Sequence, residues 1–363
     1  MTDITNRYTP DYVVHPGEYL EEVLESRDIK KRDFAERAGL SVKAVSQIIN
    51  GKSLFSPDVA LVFEKTLDIH AGIWMNMAEA YQLFQARKKE LERLGNEHTR
   101  EWVRKFPVAD LKRLGIIPDT RKIEIVADSL LRFLGVSDPI TWEKYHRQQV
   151  VLYRKSVQFK QDEEATAVWL HLAERKAEEI DTGPFNKDTF RGVLEKIRGL
   201  TVLPLEESFR KMQALCASAG VALVDVPELK TTHISGVSRW LTQNKAMIAL
   251  SLRYKSNDHL WFTFYHEAAH ILLHGKKAIY IDTEKENSVG EEEEQEADRY
   301  AGNILIPPAE YRAFVKEGKF FRTQIMAFAR KIGIHPGIVV GRLQHDGHIE
   351  HSWHNNLKKS CFG

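Results

Sequence analysis

Residues 262–274 of this 363-residue chain read FTFYHEAAHILLH, an apolar stretch that contains three histidines and one glutamate. His266 and His270 are four residues apart. Four residues of an α-helix turn about 400°, so the two imidazoles would lie within about 40° of each other on one face. The apolar flanks predict a buried helix, in which such polar side chains are costly unless they share a partner. The segment therefore predicts a metal site rather than a surface helix with two ordinary histidines.

The spacing of the two histidines suits a tetrahedral zinc ion, our predicted cofactor. Glu267 is about 100° round the helix from His266, so it would stand beside the metal as the catalytic residue that takes a proton from a zinc-bound water. This arrangement predicts hydrolysis of an amide bond. His274 continues the four-residue series but precedes Gly275, and we interpret it as a cap or a supporting group rather than a ligand.

Two histidines leave zinc short of a third protein ligand. The next predicted helix, EEQEADRYAGNILIPP at residues 293–308, offers several carboxylates. Glu296 is the preferred ligand because it begins the apolar face that continues through Tyr300. Glu293 and Asp298 remain alternatives.

The two segments FTFYHEAAHILLH and QEADRYAGNILIPP together resemble the ImmA/IrrE family of zinc metallopeptidases, over roughly residues 205–345. That family pairs HExxH with a downstream E-A-N/D-x-F-A-x-x-L-L-x-P segment, and the glutamate of that segment, its third ligand, maps onto Glu296. Tyr300 replaces the usual phenylalanine, and Ile304-Leu305 replaces the leucine pair. The resemblance implies a narrow-specificity metalloprotease that cuts a repressor protein of the helix-turn-helix type.

Residues 33–52, DFAERAGLSVKAVSQIINGK, have the pattern of two helices joined by a tight turn. Gly39 is placed where a positive φ is expected, Ser41 is a credible N-cap, and Val45 and Ile48 would point inward. Gln47 would face outward, where it can read an adenine edge in a major groove. The candidate DNA-binding residues are Ser41, Val42, Lys43, Ala44, Ser46 and Gln47. The alternative is a helical bundle that serves only protein contacts.

Three further segments extend this module: HPGEYLEEVLE at 15–25, GKSLFSPDVALVFEKTL at 51–67 and IWMNMAEAYQL at 73–83. With the helix-turn-helix they resemble the HigA-type antitoxin branch of the lambda-repressor-like fold, over about residues 13–85. The resemblance implies a homodimer that binds a palindromic operator in double-stranded DNA.

A similar pattern recurs near the C-terminus. FARKIGIHPGIVVGRL, residues 328–343, repeats the spacing of FAERAGLSVKAVSQII, residues 34–49. We interpret it as a second helix-turn-helix-like element, and the favoured role is a lid packed on the peptidase helices because Pro336-Gly337 blunts the second helix. Docking of DNA or substrate is the alternative.

These patterns predict a multidomain, mainly α chain with one α+β zincin-like domain. Strands are expected at 221–226, 233–241 and 245–251, and helices near 257–275, 293–306 and 321–330. The predicted parts are a flexible tail (1–14), an all-α helix-turn-helix domain (15–95), a helical linker or insert (96–200), the zincin-like domain (201–315) and a C-terminal helical element (316–363).

The overall charge is nearly balanced, with 52 basic and 51 acidic residues. DNA affinity would therefore come from a local patch such as the one around residues 30–52. Two cysteines, Cys216 and Cys361, are too few for a disulfide framework. We find no secretion signal and no apolar run of the roughly 18 residues that a membrane span needs. These features predict a cytoplasmic protein without a membrane partner.

The resulting hypothesis is a DNA-binding transcriptional regulator fused to a zinc-dependent endopeptidase that cleaves a repressor-type protein or itself. The alternative is a non-enzymatic, antitoxin-like repressor whose zincin domain is a sensor or scaffold. Glu267 favours the first hypothesis, because a scaffold needs no general base. In a third hypothesis, the N-terminal module recruits a repressor by protein contact.

Overall fold

The computed structural model describes residues 12–145, 162–230, 232, 234–251, 256–275, 280–283 and 291–359. The chain divides into two compact units. The first is built on residues up to 100 together with 120–128, and the second on 101–119 and from 129 onward. Among the described helices, none has both the length and the apolar character required to cross a bilayer.

The first unit is a helical bundle around one apolar core. Leu20, Phe34, Val45, Phe63 and Trp74 are fully buried in that core. Its helices are α1 (Pro16–Ser26), α2 (Lys31–Ala38), α3 (Val42–Ile49), α4 (Pro57–Leu67) and α5 (Ala71–Leu94).

The turn between α2 and α3 has the predicted backbone. Gly39 ends α2 in the left-handed region with φ 63°, a conformation that costs glycine little. The Ser41 Oγ accepts a hydrogen bond from the Ala44 N–H at 3.1 Å and so caps α3. Val45 and Ile48 are buried, at 0% and 5% exposure. The predictions for these four residues are confirmed.

Further helices lead to the sheet. They are α6 (Glu97–Arg104), α7 (Val108–Arg113), α8 (Ile123–Leu134), α9 (Glu163–Glu178), α10 (Lys187–Arg198) and α11 (Leu205–Ser218). Residues 139–145 are also helical.

A four-stranded sheet lies at the centre of the second unit, in the order β1-β3-β2-β4. The strands are β1 (Val221–Val226), β2 (Ile234–Thr242), β3 (Lys245–Ser251) and β4 (Tyr280–Thr283). β1 runs parallel to β3, whereas β2 runs antiparallel to both β3 and β4. The first three strands were predicted. The edge strand β4 was not, because four residues carry too little alternation to be recognised.

Strands β1 and β3 are buried on both faces. Val221, Leu223 and Ile248 join the main core with helix α12 (Asn257–Leu273). The alternate residues Ala222 and Met247 are equally buried, and α9 contacts both strands. Burial on two faces explains why these strands read as continuous apolar runs.

Four more helices complete the second unit: α13 (Glu291–Leu305), α14 (Pro308–Glu317), α15 (Arg322–Ile332) and α16 (Pro336–His345). Helix α13 packs along α12, and α16 contacts both α12 and α15. The mainly α fold with one α+β part is therefore confirmed.

The pair α15 and α16 has the helix-turn-helix-like form that the repeat predicts. Gly333 has φ 72°, and the His335 Nδ1 accepts a hydrogen bond from the Gly337 N–H at 3.1 Å at the start of α16. Ile338 and Val340 of α16, the counterparts of Ala44 and Ser46 in α3, are buried. The burial of this second helix favours the packing role over DNA contact.

Candidate functional site

Two packed helices, α12 and α13, bring together a cluster of polar side chains in the second unit. α12 places His266 and His270 one turn apart on the side that faces α13, and their exposed fractions are only 5% and 2%. α13 contributes Glu294, whose side chain is 28% exposed. Among the described residues, these three side chains form the group that can hold a metal ion, with ligand atoms within 4.8 Å of one another.

The three ligand atoms form a nearly regular triangle. The Nε2 atoms of His266 and His270 are 3.0 Å apart. The Glu294 Oε2 is 3.1 Å from the first of these nitrogens and 3.6 Å from the second. Ligands about 2.0–2.1 Å from a tetrahedral ion lie about 3.3 Å from each other. The triangle therefore fits one tetrahedral ion such as zinc.

The pKa shifts of Glu294 and His270 also favour the protonation states that bind a metal ion. Burial alone would raise the pKa of Glu294, but hydrogen bonds and charge interactions with His266 and His270 outweigh it and lower that pKa to about 2. Burial lowers the pKa of His270. At Glu294 and His270 these shifts favour the carboxylate and the neutral imidazole, which are the forms that bind metal ions.

The outer nitrogen of each histidine is held in place. The His266 Nδ1 lies 2.9 Å from the Asp298 Oδ1, and the His270 Nδ1 lies 2.8 Å from the His274 Nδ1. The His274 Nε2 in turn lies 3.3 Å from the Glu296 Oε2. Such contacts fix the ring orientation and leave both Nε2 atoms facing the shared position.

The geometry corrects the prediction that Glu296 is the third ligand. The structure brings Glu294 to the two histidines and places Glu296 against His274. Two residues of a helix turn about 200°, so the carboxylates at 294 and 296 leave α13 on different sides. Glu294 and Asp298 are four residues apart and therefore lie on the same side of α13. This side faces His266 and His270, which are also four residues apart on α12.

The alternatives considered for this ligand also lie elsewhere. Asp298 contacts the outer nitrogen of His266 rather than the shared position. Glu293 is exposed. The signal that would have identified Glu294 is the four-residue spacing of Glu294 and Asp298, which matches that of His266 and His270.

Glu267 is completely buried beside the cluster, on the adjacent side of α12. Strand β2 passes close to it at Gly236. A Cβ at position 236 would lie 2.6 Å from the Thr263 Cγ2 and 2.9 Å from the Glu267 Oε1, both closer than real Cβ contacts. Gly236 therefore makes the room in which Glu267 sits. Sequence reasoning missed this residue, because the approach of β2 to α12 is a tertiary contact.

In the first unit, α3 presents only part of the predicted DNA-binding set to solvent. Val42, Lys43 and Gln47 are exposed, whereas Ala44 and Ser46 are half-buried. The hydroxyl of Ser41 caps the helix. The Ser46 Oγ accepts a hydrogen bond from the Asn50 Nδ2 at 3.0 Å. Ser41 is also exposed, and contact of the six residues with DNA stays a prediction.

Two segments of the chain match known families. Residues 220–343 match peptidase family M78, described as the IrrE N-terminal-like domain. Residues 20–74 match the helix-turn-helix family. The uncharacterized helix-turn-helix-type transcriptional regulator YddM of Escherichia coli (strain K12) is 25% identical over 73 residues, which are 20% of this chain and 78% of that protein.

Three solved structures are similar to about a quarter of the chain. An addiction module antidote protein of the HigA family from Coxiella burnetii is 28% identical, over 23% of this chain and 92% of that one, with a TM-score of 0.21. A putative antidote protein of a plasmid maintenance system from Nostoc punctiforme is 29% identical, over 23% and 96%, with a TM-score of 0.21. The Pseudomonas aeruginosa antitoxin HigA, solved with the higBA promoter, is 30% identical, over 24% and 94%, with a TM-score of 0.22.

Proposed function

We propose that this chain, which carries a helix-turn-helix domain and an IrrE-like domain of peptidase family M78, is a zinc-dependent endopeptidase fused to a DNA-binding regulator. Its substrate is a repressor-type protein or the chain itself. The observation that carries the proposal is the buried triangle of His266, His270 and Glu294 with Glu267 beside it. A sensor or scaffold would need the three ligands but not the buried general base.

A zinc ion held by the three ligands would polarise the substrate carbonyl and make water nucleophilic at neutral pH. Glu267 takes one proton from the attacking water as the carbon–oxygen bond forms. It then gives that proton to the amine nitrogen as the carbon–nitrogen bond breaks. The second proton of the water also passes from the new carboxyl group to the amine, which leaves a carboxylate and an ammonium group. Asp298 and His274 keep the two histidine rings in position throughout.

Replacing Glu267 by Gln tests the enzymatic part. The variant keeps the size of the side chain and the three metal ligands, but it cannot accept a proton. We expect zinc-loaded wild-type protein to cut a helix-turn-helix repressor from the same genome, and Glu267→Gln to retain zinc while the cleavage rate falls by about a hundredfold or more. Undiminished cleavage by the zinc-loaded variant would exclude this mechanism.

The N-terminal domain is the proposed DNA-binding part, as in a helix-turn-helix-type regulator. Lys43 and Gln47 are exposed on α3, in a locally basic stretch. We further propose that the chain acts as a homodimer on a palindromic operator, because a two-fold dimer presents two such helices to two half-sites. A gel-shift assay on the chain's own promoter should show a specific complex. A specific complex with a repressor protein but none with DNA would favour recruitment by protein contact.

A further inference from the structure

A cavity lies on the same pair of helices as the metal cluster. It has a volume of about 320 Å³. Its walls come from the first half of α12, the second half of α13, helix α16 and the segment after it. The apolar part of its lining consists of Phe262, Leu305, Ile306 and Ile338.

The cavity and the metal cluster belong to one groove. On α12, Phe262 precedes His266 by four residues and so lies on the same side of the helix. The rings of Phe262 and His266 are in contact, with centroids 6.3 Å apart. On α13, Gly302 follows Asp298 by four residues and continues the side that carries Glu294. His266 meets Asp298 whereas His274 meets Glu296, so α12 and α13 run in opposite directions. Both sides therefore lead from the metal cluster toward the cavity.

The distance between the metal cluster and the cavity can be spanned by a short extended peptide. The cavity is centred near residue 260 of α12 and the metal cluster near residue 268, which corresponds to about 12 Å along a helix that rises about 1.5 Å per residue. An extended chain rises about 3.3 Å per residue. A peptide bond at the metal cluster therefore places a side chain about three or four residues away at the cavity.

The cavity also has a fixed cation at its wall. The Arg342 Nε donates a hydrogen bond to the Asp346 Oδ2 at 2.8 Å, and the Tyr311 hydroxyl donates to the same oxygen at 2.8 Å. A Cβ at position 302 would overlap the Arg342 Nη1, so Gly302 allows the guanidinium to lie against α13. Lys358 of the lining is likewise ion-paired, with Asp258 at 2.6 Å. Arg342 binds Asp346 through Nε, and its Nη1 lies beside Gly302 as the donor for a ligand carboxylate.

We propose that this cavity is a substrate subsite that receives a large apolar side chain, about three or four residues from the cleaved bond, and that Arg342 binds a carboxylate next to it. The proposal deepens the proposed peptidase function and rests on it for the position of the cleaved bond. A volume near the lower limit of about 300 Å³ for ligand pockets suits one large side chain rather than a cofactor. The buried helix α16 thereby gains a role as a wall of the substrate groove.

A randomised peptide library tests the subsite without requiring hydrolysis. The library is passed over zinc-loaded, full-length Glu267→Gln protein, and the retained peptides are sequenced. In parallel, wild-type protein digests the same library, and the products reveal the residues on each side of the cut.

Two variants are made in each background: His259→Trp, which fills the cavity from its exposed rim, and Arg342→Gln, which keeps a hydrogen-bond donor but removes the charge. Met326→Trp and Arg330→Gln, exposed positions of α15 outside the lining, are the matched controls.

We expect retained peptides to be enriched in a large apolar residue with an acidic neighbour. His259→Trp should abolish the apolar preference, and Arg342→Gln should weaken binding of the acidic peptides about tenfold. Both controls should select like the parent protein. Two results would overturn the subsite even if the wild-type protein cuts peptides. One is retention of peptides without any sequence preference, and the other is a sequence preference that neither His259→Trp nor Arg342→Gln changes. Variant-sensitive selection without any cutting by the wild-type protein would support the subsite and reject the peptidase function.

Discussion

The side chains of the metal cluster are mostly buried, whereas those on the outer face of α3 are exposed to solvent. His266, His270 and Glu267 are at most 5% exposed, whereas Val42 of α3 is 50% exposed and Lys43 and Gln47 are also open to solvent. Burying a polar group without a partner costs about 1–3 kcal/mol. The buried cluster therefore requires partners whose geometry can be measured, while an exposed polar face is stable in water and reveals less about its function.

The strongest test of this contrast compares two glutamates on one helix. Glu294→Ala should lower zinc affinity by more than about a hundredfold, because losing a ligand costs more than the 10- to 100-fold typical of outer groups. Glu296→Ala, two residues further on, removes only the support of His274 and should cost about tenfold or less. Competition with a chelator of known affinity measures both. Equal losses, or a larger loss for Glu296→Ala, would contradict the assignment of Glu294.

A smaller effect is expected at the glycine that makes room for Glu267. Gly236→Ala should destabilise the protein by about 1–3 kcal/mol, because the added Cβ meets Thr263 and Glu267 in a packed interior. It should also slow the proposed cleavage by displacing Glu267, the proposed general base. Gly192→Ala is the matched control. Its Cβ would meet nothing within 4 Å inside helix α10, so stability should rise by about 0.5–1 kcal/mol. Urea unfolding compares the two variants, and an unchanged stability for Gly236→Ala would disprove the close approach.

The smallest effect is expected on the exposed face. Gln47→Ala should weaken operator binding about tenfold, which is the loss of one base contact worth about 1–3 kcal/mol, and it should leave protein stability unchanged. Gln82→Ala, an exposed glutamine of α5, serves as the control. Fluorescence anisotropy with operator DNA measures both. A Gln47→Ala protein that binds like the wild type would remove this residue from the DNA-reading set.

Local patterns predicted the elements of this fold well. The residues HEAAH predicted a buried helix, Gly39 and Ser41 predicted the turn before α3, and the spacing shared by 34–49 and 328–343 predicted a second helix–glycine–helix pair. In each case the backbone is decided by residues close in sequence. Strand β4, by contrast, is too short to show a pattern.

Features that depend on how two helices meet could not be derived in this way. The choice of Glu294 over Glu296 depends on the rotation of α13 against α12, and the role of Gly236 depends on the path of β2. The pairs α2–α3 and α15–α16 also show that a local pattern does not decide which side chains become buried. Their backbones are alike, yet Lys43 of α3 is exposed while its counterpart in α16, Gly337, is buried.

A crystal structure of the zinc-loaded, full-length protein, with anomalous data collected at the zinc absorption edge, tests the central claim most directly. We predict one anomalous peak about 2.0–2.2 Å from the Nε2 atoms of His266 and His270 and from the Glu294 carboxylate, with Glu267 beside it and not bound to it. A peak bound by Glu296 in place of Glu294, or no peak between the two histidines, would contradict the account.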